Sequence, residues 1–205
     1  MTSFRNLNEY DDIEQVAKAI HFTDRMLFGR LFGDRERSIE AIKHLINSDY
    51  VNEYHRNFIT VIYDENPNKM EGIVVSYKRN SVNRNSTLKA LDETGLTSLS
   101  SIVRGRIFSS VFASNLRGAD YYIGNLYVFK KYRNRGHGSK LIEKCKQAAA
   151  QQNSRRVLVD VEYDRRELID FYAKLGFTRN TDNFHRFLGK TYGCYGLKYE
   201  INNKW

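Results

Sequence analysis

The sequence predicts a mixed α/β (α+β) domain, and three observations carry that prediction. β-rich runs bounded by turn residues alternate along the chain with segments whose apolar residues recur at helical spacing. Two of these runs flank a polar turn and read as a hairpin. Another leads directly into a basic, glycine-bearing loop that opens an amphipathic helix. The chain has 205 residues, 41% of them hydrophobic, which suits one domain (1–205) with a sizeable core.

The N-terminal Met-Thr-Ser-Phe-Arg-Asn-Leu-Asn-Glu has no apolar stretch of signal-peptide length, and no apolar run approaches the ~20 residues of a membrane span. Glu14 to Ile20 and Ser38 to Ile46 have helical spacing. The second carries Ile39, Ile42 and Ile46 on one side, with Asp34 or Ser38 as its cap. Phe58 to Tyr63 and Met70 to Tyr77 form the hairpin. Its turn, Asp64 to Lys69, holds Pro67, the only proline. Residues 81–119 are rich in Ser and Asn, yet Leu88, Leu91, Leu96, Leu99, Ile102, Val103, Ile107, Phe108, Val111 and Phe112 recur near helical spacing. A structureless loop of that length is uncommon in a compact domain, so the segment reads as a helical insertion. It either adds packing or a dimer surface, or it walls a ligand pocket. Tyr121 to Phe129, Arg156 to Tyr163 and Gly193 to Ile201 are further strands. In the helix Ser139 to Gln151, residues Leu141, Ile142, Cys145, Ala148 and Ala149 make one core-facing stripe.

Formal net charge is +9, unevenly spread. Lys130, Lys131, Arg133, Arg135, Lys140, Lys144 and Lys146 stand against Glu143 alone in residues 130–146, whereas Glu9 to Glu14 is acidic. A basic cluster suits nucleic acid or a phosphate-bearing ligand. No helix-turn-helix, RRM or zinc signature is present, so nucleic acid is not expected. Cys145 and Cys194 make no disulfide framework and no metal-ligand spacing. They read as small core residues in a reducing cytoplasm, and no metal is expected. His21, His44, His55 and His185 form no constellation with a nucleophile.

The loop is Arg133-Asn134-Arg135-Gly136-His137-Gly138. N–H groups at a helix start are unpaired and partly positive, so an anion completes them. Gly136 and Gly138 admit backbone angles closed to other residues and a close ligand approach. No Gly-Lys-Ser/Thr follows, which excludes a Walker loop. The third glycine of a dinucleotide fingerprint is missing.

These six residues match Arg/Gln-x-x-Gly-x-Gly/Ala, the acyl-CoA loop of the GCN5-related N-acetyltransferases (GNAT). The strand before the loop ends Leu126-Tyr127-Val128, as that family's fourth strand commonly does. Phe171-Tyr172-Ala173-Lys174-Leu175-Gly176-Phe177 resembles its second signature, a Tyr with Gly-Phe four and five residues on. The resemblance is specific over about residues 120–178. It implies a twisted, mostly antiparallel sheet of six to seven strands flanked by helices, with the insertion between the third and fourth strands. It implies acetyl-CoA as co-substrate and a primary amine as acceptor. A break in the fourth strand, helped by Gly124 or Asn125, would free the Leu126 N–H for the acetyl oxygen and let Val128 pair with pantetheine, with Tyr127 between them. Arg133, Asn134, Arg135, Gly136, His137, Gly138 and Ser139 would hold the phosphates, and Tyr172 would protonate the leaving thiolate.

The general base stays open. Tyr122 stands where relatives carry a carboxylate, Asp160 and Glu162 share one face of the next strand, and Arg165 replaces an Asn common in the family. Expected partners are acetyl-CoA and a small-molecule amine, with a peptide amine as the alternative and a homodimer allowed for. A non-catalytic acyl-CoA-binding module is the reading outside enzymes.

Overall fold

The computed structural model describes residues 2–98, 114–187 and 190–201. In chain order the elements are β1 (Ser3–Asn6), α1 (Ile13–Thr23), α2 (Arg25–Phe32), α3 (Arg35–Asn47), β2 (Ile59–Tyr63), β3 (Gly72–Lys78) and α4 (Arg84–Glu93). There follow β4 (Asp120–Val128), α5 (His137–Gln151), β5 (Arg156–Glu162), α6 (Arg166–Lys174), β6 (Thr178–Phe187) and β7 (Lys190–Glu200). The seven strands form one sheet in the order β1-β2-β3-β4-β5-β7-β6, antiparallel throughout except for the parallel pair β4 and β5. This is the mixed, mostly antiparallel architecture expected from sequence, with α4 inserted between the third and fourth strands. The rest of the insertion's apolar run, Leu99 to Phe112, lies outside the described residues.

Local chemistry sets the helix starts. The Asp12 carboxylate accepts the Gln15 N–H at 3.0 Å, and Asp34 accepts the Arg37 N–H at 2.8 Å. Asp34, not Ser38, therefore caps α3. Ser38 lies buried within the helix, with its hydroxyl donated to the Asp34 carbonyl at 2.6 Å. Three elements lack a clear sequence signal. β1 has only four residues, α2 carries Gly29 and lacks a side-chain cap, and β6 is a polar edge strand.

Side-chain alternation on the strands builds a core on each face of the sheet. Ile73 and Val75 face α1, α2 and α3, where Val16, Ile20, Phe28, Ile42 and Ile46 are fully buried. Ile123, Val157, Val159 and Val161 face α5, which contributes Leu141, Ile142, Cys145 and Ala149. Burial of each such large aliphatic side chain contributes about 1.5–3 kcal/mol. Lys146, one of the basic cluster of residues 130–146, turns inward. It is 9% exposed, donates to Glu143 at 2.6 Å and to the Leu175 carbonyl at 2.7 Å, and lies 4.2 Å from the Tyr199 ring centroid. It thereby ties α5 to the end of α6. No described helix is long and apolar enough to cross a membrane.

Parallel neighbours need a crossover, which α5 provides. Yet β4 and β5 pair only from Asp120–Arg156 to Ile123–Val159. A buried charge pair secures this short seam. Asp120 accepts Arg156 Nε at 2.8 Å, Arg156 Nη2 at 3.1 Å and the Arg117 N–H at 2.7 Å. Burial alone would raise the Asp120 carboxyl. The guanidinium and the Arg117 N–H outweigh it and hold the group below the usual range. A depressed folded-state pKa stabilises above the unfolded carboxylate pKa near ~3.9, and this is lost as pH falls through the lower folded value. Asp120→Asn is accordingly expected to cost about 2 kcal/mol at neutral pH, read by urea unfolding. The difference should shrink as the pH is lowered below about 4.

Candidate active site

Beyond Ile123 the two parallel strands part. Val75 pairs with Asn125 but Ser76 pairs with Ile123, so Gly124 is an extra residue, a bulge, in β4. The orientation of the freed backbone follows from one hydrogen bond. Phe129 donates its N–H to the Glu71 carbonyl at 3.0 Å, toward the β3 side. Peptide groups alternate along an antiparallel strand, so Val128 and Leu126 direct their N–H and C=O to the opposite side, where β5 has left. Arg133 confirms this direction, because its Nε reaches the Val128 carbonyl at 3.0 Å. Leu126, Tyr127 and Val128 are half-buried along the resulting gap.

The gap ends at the basic loop. Asn134 and Gly136 both take the left-handed conformation, at φ 61° and 78°. This winds the chain tightly into α5, whose first backbone bond runs from the Lys140 N–H to the Gly136 carbonyl at 3.0 Å. The N–H groups of His137, Gly138 and Ser139 precede that ladder, and they carry the positive end of the helix dipole. Arg133, Asn134, Arg135 and Gly136 are exposed, while Gly138 and Ser139 are half-buried. Both arginines lie against aromatic rings, Arg133 at 5.5 Å from Tyr127 and Arg135 at 5.5 Å from Tyr132. The His137 imidazole turns inward instead. It is 2% exposed and its Nε2 meets Glu71 at 2.7 Å, with Asp64 at 3.7 Å. His137 thus offers the loop a backbone N–H, and its side chain pins the loop to the start of β3.

Tyr172, on α6, is buried in the core beneath α5. Its ring packs edge-on against Phe171 at 5.2 Å and Phe177 at 5.3 Å. Burial, with Cys145 beside it, pushes the phenol well above its ordinary pKa, so the hydroxyl is held protonated. Phe171 lies closer to the loop: a Cβ on Gly138 would meet its ring at 3.3 Å.

On the other face of the sheet, β5 presents Asp160 and Glu162. Asp160 accepts the Ser114 N–H at 2.9 Å, the Ser114 hydroxyl at 2.6 Å and the Tyr122 hydroxyl at 3.0 Å, and also the Cys194 thiol. Burial nonetheless raises the Asp160 carboxyl. Gly196 makes this arrangement possible, since a Cβ there would stand 2.4 Å from the Ser114 hydroxyl oxygen. Burial and the neighbouring Asp160 keep the Tyr122 phenol protonated. Glu162 is exposed and pairs with Arg165 at 3.3 Å. Cys194, read from sequence as a small core residue, is a donor in this network.

Sequence reasoning passed over one acid. Asp24 sits half-buried at the junction of α1 and α2. Burial, reinforced by the charges of Glu162 and Asp160 and opposed by the nearby Leu27 N–H, pushes its carboxyl up to about 7. No local signal marks it, because the acids that act on it, Asp160 and Glu162, lie on a strand more than a hundred residues away.

None of the curated proteins matches this chain by sequence. Solved structures of similar fold include an N-acetyltransferase from Staphylococcus aureus Mu50, 17% identical with a TM-score of 0.66 over 96% of this chain and 100% of that one. A Bacillus subtilis acetyltransferase in complex with CoA is 11% identical, with a TM-score of 0.55 over 98% of this chain and 99% of its own. The NatC complex bound to Gag peptide and CoA includes a chain 18% identical, with a TM-score of 0.55 over 98% and 99%. At such identities these likenesses show the fold. The Acetyltransferase (GNAT) family model matches residues 39–177, from α3 to the end of the Tyr172 signature, with the parted strand and the basic loop inside the match. The chain belongs to the GNAT acetyltransferase family.

Proposed function

We propose that the protein transfers the acetyl group of acetyl-CoA to a primary amine of a small molecule, by direct attack of the amine on the thioester. The observation that carries this reading is the pair of outward N–H groups, Leu126 and Val128, aligned along a gap that ends at the α5 loop. The Leu126 N–H polarises the acetyl carbonyl and stabilises the oxyanion formed on attack. A preorganised donor of this kind is worth about 3 kcal/mol in the transition state. Val128 receives the pantetheine arm as a neighbouring strand would. The N–H groups of His137, Gly138 and Ser139, with Arg133, Asn134 and Arg135, take the phosphates, for which arginine forks are suited. Tyr172, kept protonated by burial, supplies the proton to the departing thiolate. On the α1 face Tyr77 packs against Tyr122 at 5.9 Å and Tyr122 donates to Asp160 at 3.0 Å, a polar aromatic cluster suited to a small amine.

Gly136 is the cleaner test of the loop, since an added Cβ there meets no described atom within 4 Å, whereas one on Gly138 presses on Phe171. The left-handed φ makes Gly136→Ala cost roughly 1–2 kcal/mol in the folded protein. CoA binding by calorimetry should weaken at least tenfold while the melting point drops by only a few degrees. Unchanged affinity would refute the phosphate reading.

Tyr172→Phe keeps the ring and removes the hydroxyl. It is expected to fold and bind acetyl-CoA normally. A thiol of pKa ~8.5 leaves tolerably well unaided, so thiol release under chemistry-limited conditions should slow by roughly 10²-fold. An undiminished kcat would assign the proton to water.

A further inference from the structure

The face of the sheet opposite α5 holds a buried acceptor atom with no use in the network above. Asn125, 3% exposed, follows the β4 bulge and directly precedes Leu126. Its Nδ2 donates to Thr23 Oγ1 at 2.8 Å. The Thr23 hydroxyl gives its own proton to the Ile20 carbonyl at 2.9 Å, so toward Asn125 it can only accept. That arrangement assigns the amide nitrogen to the Thr23 side. Asn125 Oδ1 is therefore a buried oxygen with no partner among the described residues. Such an atom is costly to keep unpaired. It calls for a donor. The thioester end of acetyl-CoA carries none, but an attacking amine does.

Thr23 also fixes the place of its neighbour Asp24. The Asp24 charge acts on Tyr54, on Tyr122 of β4 and on Cys194 of β7, and Asp24 in turn feels Asp160 and Glu162 of β5. These groups come from four separate segments that gather around the α1–α2 corner where Asp24 sits. Arg165 is paired with Glu162 and Glu167, and Arg25 stacks over Phe22 at 4.4 Å. In a chain of net charge +9, this corner is acidic and walled by tyrosines.

Building on the acetyl-transfer reading, we propose that Asn125 and Asp24 receive the acceptor, which arrives as an alkylammonium: Asn125 Oδ1 accepts one of its N–H groups, and the Asp24 carboxylate takes the protons that its nitrogen loses. The ammonium first gives a proton to Asp24, which releases it to solvent. The neutral nitrogen then bonds to the acetyl carbon as the C–S bond breaks. Its remaining excess proton passes to Asp24, and the thiolate is protonated by Tyr172, which regains its proton from Asp24 through solvent. The products are an N-alkylacetamide, free CoA thiol and one proton in solution. A carboxylate is suited to this task when its pKa lies near the working pH, as burial among like charges arranges for Asp24. The tyrosine faces favour a cation.

The test measures thiol release from acetyl-CoA with 1,5-diaminopentane and with 5-aminopentanoate, its zwitterionic counterpart, over a range of pH. Wild type, Asp24→Asn and Asn125→Ala are compared, with CoA binding followed by calorimetry. All three are expected to bind CoA alike. Wild-type kcat/KM for the diamine should show an ionisation near the Asp24 value of about 7. In Asp24→Asn that inflection should vanish and the rate fall by roughly 10². Asn125→Ala should raise the KM for the diamine about tenfold with little change in the KM for acetyl-CoA, the size of one lost hydrogen bond. The zwitterion should be used at least tenfold less well. A second readout needs no turnover. A carboxyl with a raised folded-state pKa destabilises the fold as pH rises from the unfolded value near ~3.9 through the folded one, so Asp24→Asn should melt above wild type at about pH 8 and level with it only below about pH 4. An Asp24→Asn enzyme that binds CoA and keeps the wild-type rate and profile overturns this inference and leaves acetyl transfer standing. A wild type that binds CoA and acetylates neither amine overturns the alkylammonium acceptor. Failure of wild type to bind CoA overturns the acetyl-transfer reading itself.

Discussion

The separation of β4 from β5 after four paired residues is the constraint on which the site depends. A sheet that stayed closed would satisfy every backbone group and leave nothing to bind with. Here β5 turns its hydrogen bonds to β7, all along from Arg156 to Glu162, while β4 keeps β3 and loses its other neighbour. The extra residue at Gly124 falls at the point of parting. A bulge increases local twist and redirects a strand, so one inserted residue helps both to open the gap and to bring Asn125 and Tyr127 onto the α1 face. The Asp120–Arg156 pair matters because the seam it secures is so short.

The two faces of the sheet differ in charge and in task. Beneath α5 the wall is apolar, and Lys146 is drawn inward to hold α5 and α6 together. The loop at the head of α5 is basic, and it is fixed from below by His137 and Glu71. Above the opposite face, Asp24, Asp160 and Glu162 converge. Burial raises the Asp24 and Asp160 carboxyls, and at Asp24 the charges of Glu162 and Asp160 add to it, which costs stability. Functional sites commonly accept that cost. Asp160 has its burden shared by Ser114, Tyr122 and Cys194. Asp24 has little more than the Leu27 N–H, and so keeps its capacity to bind a proton.

Much of this is legible in the sequence, because the relevant signals are local. Residues 133–138 carry the glycines and arginines of a phosphate loop in consecutive positions, and the helix periodicity that follows is contiguous. The hairpin of β2 and β3 announces itself through Asp64 to Lys69. Val157, Val159 and Val161 alternate with Asp160 and Glu162, and a strand's two-residue period alone puts the two acids on one face. Where local signals fail, the reasons are physical: β1 is too short to show a period, α2 is interrupted by Gly29, and β6 has too few apolar residues.

The sequence by itself determined the main elements, the phosphate loop and the identity of the side chains on each strand, since these depend on neighbours within a few residues. Only the tertiary structure decided that His137 points to Glu71 and that Lys146 is buried. It also decided that Cys194 bonds to Asp160, and that Thr23 meets Asn125 across a separation of about a hundred residues. Those outcomes depend on burial and on charge–charge distances. Both are properties of the packed chain, set where β4 and β5 separate and where the α1–α2 corner closes over them.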